Sequence, residues 1–260
     1  MKLLMREKVM SIDMSFPLTG KVAVITGGAS GIGRAIAEAF ASKGVTVAVA
    51  DLQLDVANNF AEKLGNSSSA HYCDVTSIDS INNAVGEIYA VHKKVDILVN
   101  SAGMVALAPA ENIEESAWNL TISVNLSGTF FMSQAIGKLM LGQGGGKIIN
   151  LASQAGTIAL HEHVAYCASK FGVIGITKVL ASEWGNRGIT VNSISPTVVL
   201  TELGKKAWDG KKGDDLKKLI PTGRFALPEE IAATAVFLAS NGADMINGAD
   251  LLVDGGYTIR

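Results

Sequence analysis

Short runs rich in valine and isoleucine alternate with longer amphipathic runs along most of this chain. Residues 21–26 form the first apolar run, which ends at two glycines, and apolar side chains then recur at helical spacing over residues 32–43. Further strand-like runs lie at 46–50, 69–75, 95–100, 147–152, 190–194 and 249–253. Helix-like runs lie at 54–64, 77–92, about 112–141, 163–185 and 229–240. This alternation predicts βαβ units and an α/β fold, with a doubly wound parallel sheet and helices on both faces.

The composition indicates a folded protein with a large core and without a nucleic-acid or membrane partner. Apolar residues make up 48% of the 260 residues and charged residues 18%, which excludes a disordered chain. The net charge of −2 supplies no basic field for nucleic acid, and no apolar run is long enough to span a bilayer. We expect a loose leader over residues 1–17 and a single domain over residues 18–260.

Cysteine and histidine usage indicates neither a disulfide framework nor a metal centre. Cys73 and Cys167 are the only cysteines, and neither has the spacing of a redox or zinc motif. This usage is typical of a reducing cytoplasm, where we expect the protein to reside. His161 and His163 form a pair without a third ligand nearby, so we expect no metal there.

Residues 201–224 interrupt the alternation and contain six lysines. One interpretation is a solvated surface excursion. The other is a lid over a ligand, because a parallel sheet binds ligands beyond the carboxyl ends of its strands. We treat the segment as a candidate substrate lid, with the first interpretation left open.

The turn after the first strand-like run reads TGGASGIG over residues 26–33. Glycine allows a tight backbone bend and close approach of a ligand, and the following helix start offers free N–H groups to phosphate. The sequence therefore predicts a pyrophosphate cradle, whereas a structural glycine turn remains the alternative. The predicted cofactor contacts of this turn are Gly27, Ser30, Gly31, Ile32 and Gly33.

Asp51 follows the second strand-like run, at the position where a carboxylate can accept hydroxyls of an adenosine ribose. The same charge repels a 2′-phosphate, and neither Ser30 nor Leu52 supplies a compensating cation. We therefore predict NAD rather than NADP as cofactor, although Asp51 can also simply cap a turn. Asp74, after the third run, is a second candidate for the adenine edge.

Tyr166 and Lys170 are four residues apart in a helix-like run, so their side chains share a face. An ammonium about 4 Å from the phenol would stabilise phenolate by roughly 4 kcal/mol and bring its pKa near 7. Ser153, at the end of a strand-like run, can hold a substrate oxygen against the phenol. Asn125 lies in an otherwise apolar helix. Its side chain either forms hydrogen bonds with the backbone or holds a water in a proton relay.

These motifs, in this order, resemble the short-chain dehydrogenase/reductase family over residues 18–260. The resemblance implies a Rossmann fold with seven parallel strands and catalysis by four side chains, namely Asn125, Ser153, Tyr166 and Lys170. In that scheme Tyr166 is the base in oxidation and the acid in reduction. Lys170 also holds the nicotinamide ribose, and Asn125 positions a water.

The resemblance also extends the set of predicted cofactor contacts beyond the glycine turn. The further contacts are Leu52, Asp74, Val75, Asn100, Ala102, Gly103, Tyr166, Lys170, Pro196, Val199 and Thr201. Two positions depart from the family pattern: Ser101 replaces the second asparagine of Asn-Asn-Ala-Gly, and Thr197 replaces glycine after Pro196. Thr197 adds a hydroxyl beside the expected substrate.

Polar side chains around the predicted catalytic group favour a substrate with several hydroxyls. The predicted substrate contacts are Ser153, Gln154, His161, His163, Tyr166 and Thr197. The whole chain is also similar to the polyol dehydrogenases of the family, so we expect oxidation of glycerol or a four- to six-carbon alditol at a secondary carbinol. The alternatives are a 3-oxoacyl-thioester reductase and a catalytically silent NAD-binding regulator.

The sequence further predicts a homotetramer. The helix-like runs at 112–141 and 163–185 carry more apolar positions than one sheet face can cover, and the family resemblance points the same way. The residues chosen for this interface are Ala135, Ile136, Phe171, Val173 and Ile176. The last helix and strand would form the second interface, with Arg260 near a neighbouring active site.

Overall fold

The computed structural model describes residues 12–259, so most of the predicted leader and Arg260 lie outside the described residues. Its seven strands are all parallel and pair in the order β3-β2-β1-β4-β5-β6-β7. They are β1 (Val22–Thr26), β2 (Thr46–Asp51), β3 (Ser69–Tyr72), β4 (Ile97–Asn100), β5 (Gly146–Leu151), β6 (Ile189–Pro196) and β7 (Asp250–Val253). The order reverses between β1 and β4, which opens a crevice at the carboxyl edge of the sheet. The predicted α/β fold is confirmed.

Helices cover both faces of this sheet. They are α1 (Gly31–Ser42), α2 (Leu54–Leu64), α3 (Ile78–His92), α4 (Glu115–Ile122), α5 (Thr129–Gln143), α6 (Val164–Trp184), α7 (Glu202–Ala207), α8 (Lys211–Lys217) and α9 (Pro228–Ala239). Strand β1 is buried throughout, and its alternate side chains enter different cores: Ile25 packs with Phe40 and Ile231, whereas Val24 packs with Met132. Burial on both faces explains why the strands read as continuous apolar runs.

The long helix predicted over about 112–141 is divided by a wider π-helical turn at Ser123–Gly128. Within this turn the Thr129 hydroxyl donates to the Asn125 carbonyl oxygen at 2.7 Å, a side-chain bond that competes with the helix ladder. A Cβ at Gly128 would lie 2.9 Å from Val75, so the turn packs closely against the segment after β3. Apolar periodicity alone does not reveal such a local widening.

Residues 201–224 form two short helices, α7 and α8, that the sequence did not predict. Buried Ile220 anchors the end of the segment, and Trp208 packs on buried Phe225 with ring centroids 6.1 Å apart. Lys212 lies over the Trp208 ring at 4.7 Å. The segment therefore combines exposed lysines with apolar anchors, and its role as a lid stays a prediction.

One helix within residues 12–259, Val164–Arg187, is long and apolar enough to cross a membrane by length and composition, with a mean hydropathy of 1.4. It comprises α6 and the following turn, and it packs against β6 and the turn after β5. Its buried face includes Ala165, Lys170 and Val173. A core helix with an apolar outer face meets the same criteria of length and mean hydropathy.

Candidate active site

The glycine-rich turn joins β1 to the amino end of α1 and lies against the loop that follows β4. A Cβ at Gly27 would lie 2.9 Å from the Ala102 Cα, so a side chain there would separate the two loops. Gly31 has a φ of +55°, and among the described residues only the Thr201 methyl group lies within 4 Å of the position of a Cβ there, at 3.6 Å. The turn is thus closed against protein at Gly27 and open where α1 begins.

The hydroxyl of Thr26 connects these two loops. It accepts hydrogen bonds from the backbone N–H groups of Ser101 and Ala102, each at 3.1 Å. Thr26 was not among the predicted site residues, although its place at the end of β1, directly before Gly27, was a usable signal. A Cβ at Gly33 would collide with the Gly27 carbonyl oxygen. The absence of a side chain at Gly33 therefore lets the first turn of α1 pack directly on the backbone of the glycine-rich turn.

Asn100 ends β4, and its side chain connects the carboxyl end of this strand to α5 and β5. Its side-chain nitrogen donates to Ser133 at 2.9 Å and to Asn150 at 2.8 Å. Its Oδ1 atom is buried and has no hydrogen-bond partner in the described part of the chain. The atom is enclosed by protein, so the Asn100 side chain ties β4 to α5 and β5.

Asp51 orders the loops around the proposed ribose position. Its carboxylate accepts the N–H of Ala29 at 3.1 Å and that of Gln53 at 3.0 Å, so the turn-capping role left open by the sequence is present. Two carboxylate oxygens have about four acceptor positions, which leaves capacity for ribose hydroxyls. Leu52 beside it is exposed. Asp74 likewise orders its own turn by accepting from the N–H and hydroxyl of Thr76.

Helix α6 places Tyr166 and Lys170 on one face, as the sequence predicts. The Lys170 Nζ lies 5.6 Å from the centroid of the Tyr166 ring and donates to the Leu151 carbonyl oxygen at 2.7 Å. Burial lowers the pKa of Lys170 to about 8. Leu151 is the one protein acceptor of this ammonium within residues 12–259, so further donor capacity remains for a ligand.

The expectation that Lys170 alone brings the Tyr166 pKa near 7 is wrong for the protein by itself. Burial raises the pKa of Tyr166 above its ordinary value, and a hydrogen bond with Ser153 opposes that rise. The ammonium is turned toward the Leu151 carbonyl oxygen, and the cost of burying phenolate dominates.

Asn125 is fully buried in the π-helical turn and positions the loop after β4. Its amide pairs with the backbone of Met104, accepting its N–H and donating to its carbonyl, each at 2.9 Å, and also donates to Ser169 at 3.1 Å. A Cβ at Gly103 would lie 3.4 Å from Asn125 and 3.8 Å from the Lys170 Nζ. The Asn125 side chain is therefore hydrogen-bonded to backbone, which is one of the two roles that the sequence left open. The sequence did not identify Met104 and Ser169 as its partners.

Four of the six predicted substrate residues, Ser153, Gln154, His161 and His163, lie between β5 and α6, whereas Tyr166 lies in α6 and Thr197 follows β6. The Ser153 hydroxyl accepts from the Ala155 N–H at 3.1 Å, and the adjacent Gln154 is 6% exposed, with an Oε1 atom that has no hydrogen-bond partner in the part of the chain that the structure describes. The His163 ring lies 6.1 Å from that of Tyr166. His161 is exposed and contributes its carbonyl oxygen, which lies 2.6 Å from the His163 Nδ1.

The segment after β6 reaches back across the glycine-rich turn. Pro196 ends the strand, and the Oγ1 atom of Thr197 is buried without a hydrogen-bond partner among residues 12–259. Val199 pairs with Ala226, and Thr201 caps α7 by accepting from the Gly204 N–H at 3.0 Å. The Thr201 methyl group beside Gly31 brings this segment to the predicted cofactor cradle.

The residues at this edge fit a nicotinamide dinucleotide. The open helix start at Gly31 suits a pyrophosphate, buried Asp51 suits a ribose, and Lys170 offers free donor capacity further along the crevice. Within residues 12–259, no three histidine, cysteine or carboxylate side chains are grouped to hold a metal ion.

Comparison with known proteins agrees with this architecture. A family model described as enoyl-(acyl carrier protein) reductase matches residues 27–258. The chain is 61% identical over 254 residues to the D-threitol dehydrogenase of Mycolicibacterium smegmatis, covering 96% of this chain and 98% of the relative. It is 52% identical over 248 residues to the NAD-dependent glycerol dehydrogenase of Listeria innocua serovar 6a, covering 95% and 98%.

The structure is also similar to a gluconate 5-dehydrogenase of Burkholderia cenocepacia J2315, solved in complex with NADP and tartrate. The TM-score is 0.91 at 34% sequence identity, covering 94% of this chain and 98% of that one. The family match spans most of the chain, and both relatives are aligned over nearly their whole length. The chain therefore belongs to the short-chain dehydrogenase/reductase family.

Proposed function

We propose that this protein is an NAD-dependent polyol dehydrogenase that oxidises a secondary carbinol of glycerol or a four- to six-carbon alditol to the ketone. The observation that carries the proposal is the grouping of Ser153, Tyr166 and Lys170 at the edge of the sheet that also holds the glycine cradle. The names of the two relatives supply the substrate class. A reducing cytoplasm would preserve the free thiols of Cys73 and Cys167.

In this proposal the protein moves a proton at the substrate oxygen. When bound, oxidised nicotinamide supplies the hydride acceptor and a positive charge close to the phenol. The Ser153 hydroxyl holds the carbinol oxygen, and the Tyr166 phenolate takes its proton. Lys170 holds a ribose and lowers the free-energy cost of forming the Tyr166 phenolate. In the reverse direction Tyr166 returns the proton to the alkoxide oxygen.

The second candidate, a 3-oxoacyl-thioester reductase, shares the fold and the same catalytic group. Polar Gln154 and His163 beside the catalytic residues favour a hydroxyl-rich substrate over an acyl chain, which requires an apolar lining. A panel of alditols, hydroxyacyl thioesters and secondary alcohols, each scored for NADH formation, distinguishes the two. NAD binding without turnover of any panel member would instead favour the silent regulator.

Asp51 is expected to set cofactor preference. Its carboxylate is buried and held by two backbone N–H groups, so it cannot turn away from a 2′-phosphate. We expect NAD to be preferred over NADP by at least about tenfold in kcat/KM, because charge repulsion and lost ribose bonds each exceed about 1.4 kcal/mol. Asp51→Ala should narrow this ratio, measured by parallel titrations with the two cofactors.

A matched control for this test is Asp55→Ala, which removes the same charge from an exposed position four residues further along the chain. It should leave the NAD/NADP ratio unchanged. Equal use of both cofactors by the unmodified protein would overturn the assignment of Asp51.

We also propose that the protein assembles as a homotetramer. The outer face of α6 carries Phe171, 49% exposed, and Val179, 54% exposed, which suits a partner subunit. The prediction that Ile136 and Val173 contribute to this surface is wrong, because both side chains are fully buried within the subunit. The last strand adds Leu252, 42% exposed, for a second interface.

Light scattering should give a molar mass of about four times 27.1 kDa. Phe171→Asp should reduce that mass, because it buries a charge in the expected interface. Tyr72→Asp introduces the same group at an exposed position on β3, away from the proposed interface, and should leave the mass unchanged. A stable monomer at micromolar concentration would contradict the assembly.

A further inference from the structure

Ser169 places a fully buried hydroxyl in the apolar helix α6, between Tyr166 and Lys170. Its Oγ atom accepts a hydrogen bond from the Asn125 Nδ2 at 3.1 Å and donates one to the Tyr166 carbonyl oxygen at 2.7 Å. Alanine has a higher helix propensity than serine, and a serine hydroxyl that bonds back to the preceding turn weakens a helix slightly. The serine is thus locally unfavourable, and its contact with Asn125 is the feature that alanine would not supply.

The amide of Asn125 transmits this contact to the loop that follows β4. Its Nδ2 atom donates to both the Met104 carbonyl oxygen and Ser169, and its Oδ1 atom accepts the Met104 N–H. Without the Ser169 hydroxyl, one N–H group of a fully buried side chain would lose its acceptor. We expect the amide to shift in that case, together with the Met104 backbone that is paired with it.

The loop held in this way lies beside Lys170. Gly103 directly precedes Met104, and a Cβ at Gly103 would lie 3.4 Å from the Asn125 Oδ1 and 3.8 Å from the Lys170 Nζ. The serine that holds Asn125 is itself bonded to the backbone of Tyr166. One hydroxyl therefore connects the loop after β4 to the helix that carries Tyr166 and Lys170.

We infer that Ser169 is a positioning residue: through Asn125 it fixes the loop after β4 relative to Tyr166 and Lys170. This inference rests on the proposed function and adds to it a residue that acts only through its protein partners, because Ser169 is fully buried. Ala102 and Gly103, two predicted cofactor contacts, lie on the same loop. Loss of the Ser169 hydroxyl should therefore misalign the bound cofactor with Tyr166 and slow the reaction.

Thr177, further along the same helix, offers a matched control. Its hydroxyl is also buried, accepts the Nδ2 of Asn150 at 2.9 Å and donates to the Val173 carbonyl oxygen at 2.8 Å. The bonding pattern is that of Ser169, with an asparagine amide on one side and a helix carbonyl on the other, but Asn150 lies within β5. Ser169→Ala and Thr177→Val each remove one such hydroxyl from α6.

Hydrogen–deuterium exchange of the cofactor-free protein tests the connection itself. The Met104 N–H is bonded to the Asn125 Oδ1, so exchange of residues 101–109 reports how firmly the Asn125 amide is held. In Ser169→Ala this segment should exchange about tenfold faster or more, because a buried donor has lost its acceptor. Thr177→Val should leave the exchange of this segment unchanged. Unchanged exchange in Ser169→Ala, or an equal increase in both variants, would overturn the inference.

Kinetics with NAD and a polyol then test whether the connection serves catalysis. Ser169→Ala should lower kcat by about 10- to 100-fold, since a displacement of about 1 Å at the reacting groups is enough for such a loss. The KM for the polyol should change less than kcat, because buried Ser169 does not reach the substrate. Thr177→Val should retain kcat even where its melting temperature falls as much as that of Ser169→Ala. Equal kcat values for the two variants would contradict a positioning role.

The outcomes separate this inference from the function on which it rests. If the unmodified enzyme oxidises no polyol with NAD, the proposed function fails, and the exchange measurement still decides whether Ser169 fixes the loop after β4. If the enzyme is active and Ser169→Ala exchanges faster without a loss of kcat, the positioning role fails while the proposed function stands. Faster exchange together with a loss of kcat, both confined to Ser169→Ala, is the expected result.

Discussion

Replacing Tyr166 with phenylalanine should lower kcat for polyol oxidation by about 10² to 10⁴-fold, the usual contribution of a general acid–base group. The phenylalanine ring keeps the packing of Tyr166 in α6, beside the His163 ring, while the transferable proton is lost. NAD affinity, measured by protein fluorescence or calorimetry, should change little, because the ribose contact proposed for Lys170 remains. The loss should therefore appear in kcat rather than in cofactor binding.

Tyr89→Phe is the control for this substitution, because Tyr89 is 45% exposed on α3 and far along the chain from the site. Its kcat should match that of the unmodified protein. Burial raises the pKa of Tyr166, so in the unmodified enzyme kcat/KM for oxidation should rise with pH as the phenolate forms. Retained turnover in Tyr166→Phe would place the base on another residue.

Local sequence pattern was sufficient for most of the fold because each signal depends on nearby residues. The boundaries of α2 agree with the prediction, and the seven strands lie within the predicted runs to within two or three residues at most ends. The proximity of Tyr166 and Lys170 also follows from spacing within one helix. Relations of this kind require no knowledge of how distant segments pack.

The features that sequence reasoning missed depend on contacts between distant segments. Thr26 acts on the loop after β4, and Asn125 pairs with the backbone of Met104, which lies 21 residues away in the chain. The direction of the Lys170 ammonium was missed for the same reason, because its acceptor at Leu151 is a backbone carbonyl on another element. Backbone acceptors carry no residue-type signal, so pattern cannot reveal them.

The proposed catalysis requires a buried ammonium at Lys170, and this burial should lower the free energy of unfolding. Its pKa of about 8 in the folded protein is below the ordinary 10.5, so the buried ammonium opposes folding. A shift of that size corresponds to about 3 kcal/mol, from which the lost bond to the Leu151 carbonyl removes about 1 kcal/mol. Lys170→Met should therefore stabilise the cofactor-free protein by about 2 kcal/mol at pH 7, raising Tm by roughly 4–8 °C.

The pH dependence of the free energy of unfolding tests whether the buried ammonium destabilises the protein. Because the folded pKa of Lys170 is below the unfolded one, the cost of burial is fully present below about pH 8 and is relieved as the pH rises toward 10.5. The stability difference between Lys170→Met and the unmodified protein should therefore be largest at neutral pH and shrink above pH 8. Denaturant unfolding at a series of pH values measures it.

The same variant should lose NAD affinity and nearly all turnover, since one ammonium serves both the ribose and the phenol. Lys178→Met is the control, because it removes an exposed lysine from the same helix and should change stability by less than about 0.5 kcal/mol. If Lys170→Met is destabilised at pH 7, the buried amine is already neutral or paired in the folded protein. If it is stabilised and inactive, the ammonium is retained for catalysis at the expense of the fold.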